Sequence, residues 1–595
     1  MNKKMLAMTA MAVLVGGSAS YAKTNSDDVK LEKEAQIEES VSVPSRMGPS
    51  VQKFVEKQKQ NTQKRKVTLK SDVLGRRGGA QKGALNYEID ASDVQKMKVV
   101  INDIKVNDAP LPTVSGRYEY DSEKNQKNYW LNGTKVSDAS YFAQAEKREK
   151  KYNETKGSFN APRVAYLTAS EIEKELSSSE TKFISEYKEP KPAALTYGVD
   201  DYRNYTTILQ RSGITANAHN KGFKGQGVGV YYNEGGCPPL NYVNTTYYTR
   251  LGACPGFATH VIGVTRTLQT TAPQAMIYGI DGVNYPQNVS SYAKPILIGS
   301  QSWGFVTDET GYTSDDAVMD NYIYSNRVVE FVAAGNDGRN SYIGAPGRAL
   351  NAISVGAVSP VDDKYLSYSS SKNSLKKTDK PEVANYSNIY FPGDPSYTAG
   401  ANDTYDGHFS GTSAATPFMA GMTANLLSQH KFLWWHPEVV KALLIAGSKP
   451  VQNPEYDVDP STYFVAGIPN YARFSPNEAY RWRYWQGENN THFNASNEIV
   501  FTEYSIQKGK RYRLAISWLT SGQFALNNQK VAQDIDLSVW QNGNRLANAN
   551  SFENTFELAD FVTKSADALT IRIKRVANRS TSEKVILGYA FVKVD

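Results

Sequence analysis

Two patterns of apolar and polar residues divide the chain. Between about residues 205 and 480, short unbroken apolar runs alternate with longer stretches of helical period. VGVYY (228–232), PILIGSQS (295–302), VVEFVAAG (328–335) and NAISVGAV (351–358) read as buried strands. HVIGVTRTL (260–268), the Ala- and Gly-rich run at 413–430 and PEVVKALLIAG (437–447) read as helices. Apolar strands separated by helices predict a parallel sheet covered on both faces. From 490 to 595 the period becomes two. FTEYSI, YRLAISWLT, IDLSVWQ, ALTIRIKR and ILGYAFVKV, punctuated by turn signals such as Asn542-Gly543, predict an antiparallel β-sandwich without helix.

Upstream, MKVVINDIK (97–105) alternates like a strand, and 164–190 reads strand, helix, strand. Ser170 is the expected cap of that helix, with Glu173 closing a capping box. These elements predict a small α+β module over 96–195. Residues 23–95 are polar, with a dense charged run at 52–70, and read as a linker or exposed helix. Residues 1–22 read as an export signal: Lys3 and Lys4, then the apolar run 5–15, then small residues at 20–22. Cleavage is expected before Lys23. The expected organisation is therefore a signal (1–22), a charged linker (23–95), an α+β module (96–195), an α/β domain (205–480) and a sandwich (490–595).

Composition narrows the function. Of 595 residues, 40% are hydrophobic and 21% charged, enough apolar material for several cores. A net charge of +7 over that length does not argue for nucleic acid as a partner. No apolar run reaches the ~18 residues of a membrane-spanning helix; the export signal makes the expected location secreted, periplasmic or at the cell surface. Cys237 and Cys254 are the two cysteines, and in an exported protein such a pair reads as one disulfide. The glycine cluster GFKGQG (222–227) precedes its strand, the reverse of a dinucleotide fingerprint.

The segment with the most chemistry is SGTSAATP (410–417). A serine nucleophile needs an exposed hydroxyl at a tight turn into a helix. Gly411 lets the backbone approach a substrate, and Ser413 at the helix start has an N–H free for a developing oxyanion. Pro417 is expected in the first turn, where its missing N–H costs nothing.

This stretch resembles the serine motif of the subtilisin-like serine peptidases, the subtilases. VAAGNDG (332–338) resembles their segment carrying the oxyanion asparagine, here Asn336. SQSWG (300–304) resembles the strand edge that pairs with substrate backbone, here Ser302, Trp303 and Gly304. APQAMIYG (272–279), LSYSS (366–370) and KPEVA (380–384) follow the family's order. The resemblance implies a serine endopeptidase acting on peptide bonds, preceded by a propeptide-like module and followed by a sandwich seen in some bacterial relatives. It also makes Asp534 and Asp536 calcium candidates, with no other cofactor expected.

Two positions depart from the family. Glu234, in GQGVGVYYNEGG (225–236), stands where the aspartate belongs. Phe257, in FATHVIG (257–263), stands where the general base belongs, and His260 matches the motif's second histidine. A neutral serine hydroxyl needs a base to take its proton and return it to the leaving amine, and phenylalanine can do neither. The resulting expectation is a degenerate subtilase that binds a peptide or a partner protein, another peptidase among the candidates. The alternative is an active endopeptidase using Ser413 with His260 or Glu234 as base. The plain readings are a packed structural histidine for His260 and a leftover carboxylate beside Gly235 and Gly236 for Glu234.

Overall fold

The computed structural model describes residues 46–59, 95–192 with short gaps, and 201–594 with gaps at 306–310, 339–340, 372–377, 401–402, 450, 452–465 and 475–479. The proposed export signal and most of the charged linker lie outside the described residues.

The centre is a seven-stranded, all-parallel sheet. Its spatial order is Tyr248–Leu251, Met276–Asp281, Gly229–Glu234, Ile296–Gln301, Val329–Ala333, Ile353–Val358 and Val383–Tyr386. The five from Met276–Asp281 to Ile353–Val358 are buried along almost their whole length, which is why they read as apolar runs. The helix Thr412–Gln429 is buried on every side and accordingly apolar all round. It crosses the helix Thr259–Thr271 at Gly421, where a Cβ would lie 2.6 Å from that of Thr271. The sheet and its helices are those expected of a mixed α/β subtilisin-like domain.

The C-terminal region is two antiparallel sheets. The smaller runs Glu498–Glu503, Leu569–Asn578, Gln533–Gln541, Asn544–Ala549. Asn542 and Gly543, with φ of 52° and 76°, make its tightest turn, as the sequence predicted. A helix, Gly522–Asn528, capped by Ser521, interrupts the expected all-β run. At seven residues it is too short for its period to stand out between strands.

Strand pairing redraws the modules. The larger C-terminal sheet runs Phe556–Val562, Arg511–Trp518, Val585–Lys593, Tyr480–Gly487, Val114–Asp121, Gln126–Leu131, Thr134–Val136. Residues 96–195, expected as one module, therefore supply strands to three separate sheets. Tyr480–Gly487, placed before the sandwich by sequence, is inside it. Tyr118, Tyr129 and Tyr141 are buried against Phe432 and Trp482, with the Tyr118 ring stacked on both. What remains upstream is a three-stranded sheet, Arg163–Leu167, Met97–Asp103, Lys182–Glu186. Its core is closed by the helix Ala169–Ser177 and the helix over 49–59 through Ile172, Leu176, Val51 and Val55. The capping box of Ala169–Ser177 is made by Thr168 and Glu171, one register earlier than Ser170 and Glu173. Thr168 accepts from Glu171 N while the Glu171 carboxylate accepts from Thr168 N.

Candidate active-site cleft

The parallel sheet reverses its strand order at Gly229–Glu234. The chain first adds Met276–Asp281 on one side, then Ile296–Gln301 on the other. Crevices form beyond the carboxyl ends of strands at such a point. Glu234 closes the first strand, Ser302–Gly304 follow the next, and Asn336 follows Val329–Ala333.

Ser413 lies in the first turn of Thr412–Gln429. Gly411 before it has φ of 81°, a conformation that strains any residue with a Cβ. The expected place of Pro417 is wrong: it is inside the helix, one turn beyond Ser413. A residue there would normally donate its N–H to the Ser413 carbonyl, and proline cannot. Ser302 Oγ donates to that carbonyl instead, at 3.0 Å. The exchange is reciprocal, because Ser413 Oγ donates to the Ser302 carbonyl at 2.9 Å. Both side chains are fully buried. Asn336 Oδ1 accepts from Thr412 N at 2.9 Å and from Thr412 Oγ1 at 3.0 Å. Those two bonds fix the orientation of the amide.

Glu234 is buried rather than left over beside glycines. Its Oε2 lies 2.7 Å from His260 Nδ1, and among the described residues Glu234 Oε1 and His260 Nε2 have no hydrogen-bond partner. His260 stands in the first turn of Thr259–Thr271, with its ring edge-on to Phe409 at 5.5 Å. The extra methylene of glutamate carries the carboxylate to this histidine, a pairing that sequence reading did not foresee. Phe257 is 54% exposed, edge-on to Tyr397 at 6.5 Å. The other histidines are engaged elsewhere: His219 on Thr271 O, His408 on Asp406, His436 on Glu438, His492 on Gln486 O, and His430 buried beside Tyr118 and Phe432.

Cys237 and Cys254 form the expected disulfide, with Cα atoms 5.8 Å apart. Cys237 also pairs with the strand entering the altered motif: its N–H donates to Gly256 O, and its carbonyl accepts from Ala258 N. Phe257 is thus held between two backbone bonds.

The edge Trp303–Gly304 is occupied. It pairs antiparallel with Lys191–Pro192, at the end of the small α+β module. Below it runs a buried polar chain. Trp303 Nε1 and Asn233 Nδ2 donate to Gln301 Oε1, Gln301 Nε2 donates to Glu330 Oε2 at 3.0 Å, and Tyr231 OH donates to Glu330 Oε1 at 2.6 Å. Burial pushes the Glu330 carboxyl from its ordinary 4.5 up to about 8, against the pull of those two bonds. Gly299 makes the room, since a Cβ there would meet the carboxylate at 2.0 Å. The one signal in the sequence was a glutamate inside the apolar run VVEFVA.

Asp534 and Asp536 do not fit a calcium site. Asp534 Oδ2 takes a hydrogen bond from Arg579 at 3.1 Å, and burial and then Asp534 raise the Asp536 carboxyl to about 7. Among the described residues no group of three or more His, Cys, Asp or Glu is placed to hold a metal ion, whereas calcium takes about six to eight oxygens.

Residues 250–472 match the model of the subtilase family. Subtilisin E of Bacillus subtilis strain 168 is 26% identical over 249 residues, covering 37% of this chain and 60% of that protein. The extracellular serine proteinase of Thermus sp. strain Rt41A is 27% identical over 235 residues, covering 38% and 46%. Among solved structures, fervidolysin of Fervidobacterium pennivorans, a keratinolytic enzyme related to subtilisin, overlays with a TM-score of 0.37 at 14% identity, over 81% of this chain and 73% of that one. This chain spans 60% of the length of the first of these relatives. The matched segment begins after the strand that ends in Glu234. Over this segment the chain is similar to the subtilisin-like serine peptidases. No helix among the described residues is long and apolar enough to cross a membrane.

Proposed function

We propose that this chain is an exported, degenerate subtilase whose cleft holds an extended polypeptide without cutting it. The observation that carries this reading is the hydrogen bond of Ser413 Oγ, which is donated to the Ser302 backbone carbonyl and not to an imidazole. A carbonyl oxygen cannot accept that proton and return it to a leaving amine, so the hydroxyl is held in its weakly nucleophilic form. Phe257, at the position the base should hold, supplies no acceptor. Without a base, catalysis falls to what an oxyanion hole and binding alone provide, about 10³–10⁴-fold over water. What is kept suits binding: Asn336 with its amide oriented, the Ser413 N–H at a helix start, and the edge Ser302–Gly304. Partners are a peptide or a protein, another peptidase among them. Export rests on residues 1–22 and is in keeping with the Cys237–Cys254 disulfide.

One observation favours an active enzyme as the second reading. A carboxylate bonded to Nδ1 of a histidine whose Nε2 is unpartnered is the orienting half of a nucleophile–base–acid relay. His260 would then take the proton once a bound substrate moved Ser413 away from Ser302.

A fluorophosphonate probe separates the two. The expected result is labelling no faster than in Ser413→Ala, with peptide binding by fluorescence anisotropy retained in that variant. Rapid labelling abolished by both Ser413→Ala and His260→Ala would establish the enzyme instead. A rate rising through about pH 6–7 would mark histidine as the base, and an acid optimum would mark Glu234.

A further inference from the structure

Residues 97–192 pass back and forth between two sheets. Met97–Asp103 lies in the small α+β sheet. The chain then crosses to the sandwich, lays down Val114–Asp121, Gln126–Leu131 and Thr134–Val136, and packs the helix Asp138–Thr155 beside them. It returns through Arg163–Leu167, Ala169–Ser177 and Lys182–Glu186, and ends with Lys191–Pro192 on the edge of the cleft.

The attachments at the two places differ in kind. Val114–Glu119 pairs residue for residue with Arg481–Gln486, in the interior of a seven-stranded sheet. The Tyr484 ring lies over Gly116, where a Cβ would meet it at 2.1 Å. Tyr118, Val114, Leu131 and Tyr141 share one core with Val592, Ala590 and the helices of the α/β domain. The small sheet is held by less. Asn102 Nδ2 donates to Ser314 Oγ at 3.0 Å and Asp315 Oδ1 at 3.3 Å, and Phe183 packs on the cluster around Tyr312 and Leu526.

We propose that the N-terminal segment is a permanent part of the folded protein, held through Val114–Thr155 in the sandwich even after the backbone is cut between Pro192 and Asp201. Cutting there would free the α+β sheet only if Val114–Thr155 also left the sandwich, which would strip three strands from one sheet and open the shared core. Access to Trp303–Gly304 then requires local undocking of 163–192, tethered at 156, and not release of a separate domain. This rests on the reading of Trp303–Gly304 as the polypeptide-binding edge.

The test inserts a recognition sequence for a site-specific protease between Pro192 and Asp201 of the full chain, cuts under native conditions, and separates the products by size exclusion. Equimolar co-elution, with separation only in denaturant, is expected. An N-terminal fragment eluting alone while the remainder stays folded overturns the proposal. Hydrogen exchange on the unaltered chain covers the case in which the insertion prevents folding. Amides of Val114–Glu119 should exchange in the same slow class as Arg511–Trp518. Exchange of Val114–Glu119 together with Met97–Asp103, about ten-fold or more faster than Arg511–Trp518, overturns it equally. Rapid probe labelling of Ser413 in a co-eluting nicked complex would count against the degenerate reading and leave the retention standing.

Discussion

Glu234 and His260 meet at 2.7 Å between Oε2 and Nδ1, across the junction between a strand end and a helix start. The pair is nearly closed to solvent. His260 matches the motif's second histidine, and the carboxylate of Glu234, one methylene longer than an aspartate's, reaches its Nδ1. Ser413 Oγ, for its part, donates its hydrogen bond to the Ser302 backbone carbonyl.

Placing an imidazole at position 257 tests whether a missing base limits Ser413. Phe257→His combined with Glu234→Asp should raise fluorophosphonate labelling of Ser413 by at least about ten-fold over the parent, a small part of what a positioned base contributes. Labelling no faster than the parent would show that the missing base is not the obstacle.

Removing the carboxylate leaves a buried imidazole without its partner. Glu234→Ala should cost ~1–3 kcal/mol in denaturant unfolding, the penalty for stranding a buried polar group. Glu234→Gln keeps an acceptor for an Nδ1–H donor and should cost measurably less. Equal losses in the two variants would mean that the contact with His260 contributes nothing specific.

Glu330 predicts a pH dependence with a definite sign. Its carboxyl is raised from 4.5 to about 8 in the folded protein, so the folded state binds the proton more tightly than the unfolded chain. The associated stability is fully present below about pH 4.5 and is lost as pH rises through about 8. The melting temperature of the parent should fall between about pH 5 and about pH 9 more steeply than that of Glu330→Gln. Parallel profiles would place the titration elsewhere.

The disulfide closes a loop with a sequence separation of 17. Replacing both Cys237 and Cys254 by serine should cost ~3 kcal/mol in the chain-entropy model and loosen the backbone on either side of Phe257. Thermal unfolding of the double variant against the oxidised parent measures it, and an unchanged midpoint would show that the loop is already fixed by its other contacts.

Much of the α/β domain was legible because its signals are local. Unbroken apolar runs such as 228–232 and 351–358 could only be strands buried on both faces, and the motif around Ser413 carries its own turn and helix start. The two substitutions, Glu234 and Phe257, were visible for the same reason. Short-range details slipped where neighbouring residues compete for one role: Thr168 caps a helix that Ser170 could equally have capped, and Pro417 falls one turn deeper than expected.

What the sequence by itself determined, then, is most elements of the α/β domain and the residue types its motifs carry, since period, turn residues and motif spacing are properties of adjacent residues. Partnership across the chain was decided by the tertiary structure alone. The strand Val114–Asp121 reads the same whether it pairs with Met97–Asp103 or with Tyr480–Gly487. The choice is made by an aromatic core in which Tyr118 meets Phe432 and Trp482, each more than 300 positions from it, and whose burial no local pattern records. The bond between Glu234 and His260 is of the same kind: each residue was in view, and only the fold set the distance between them.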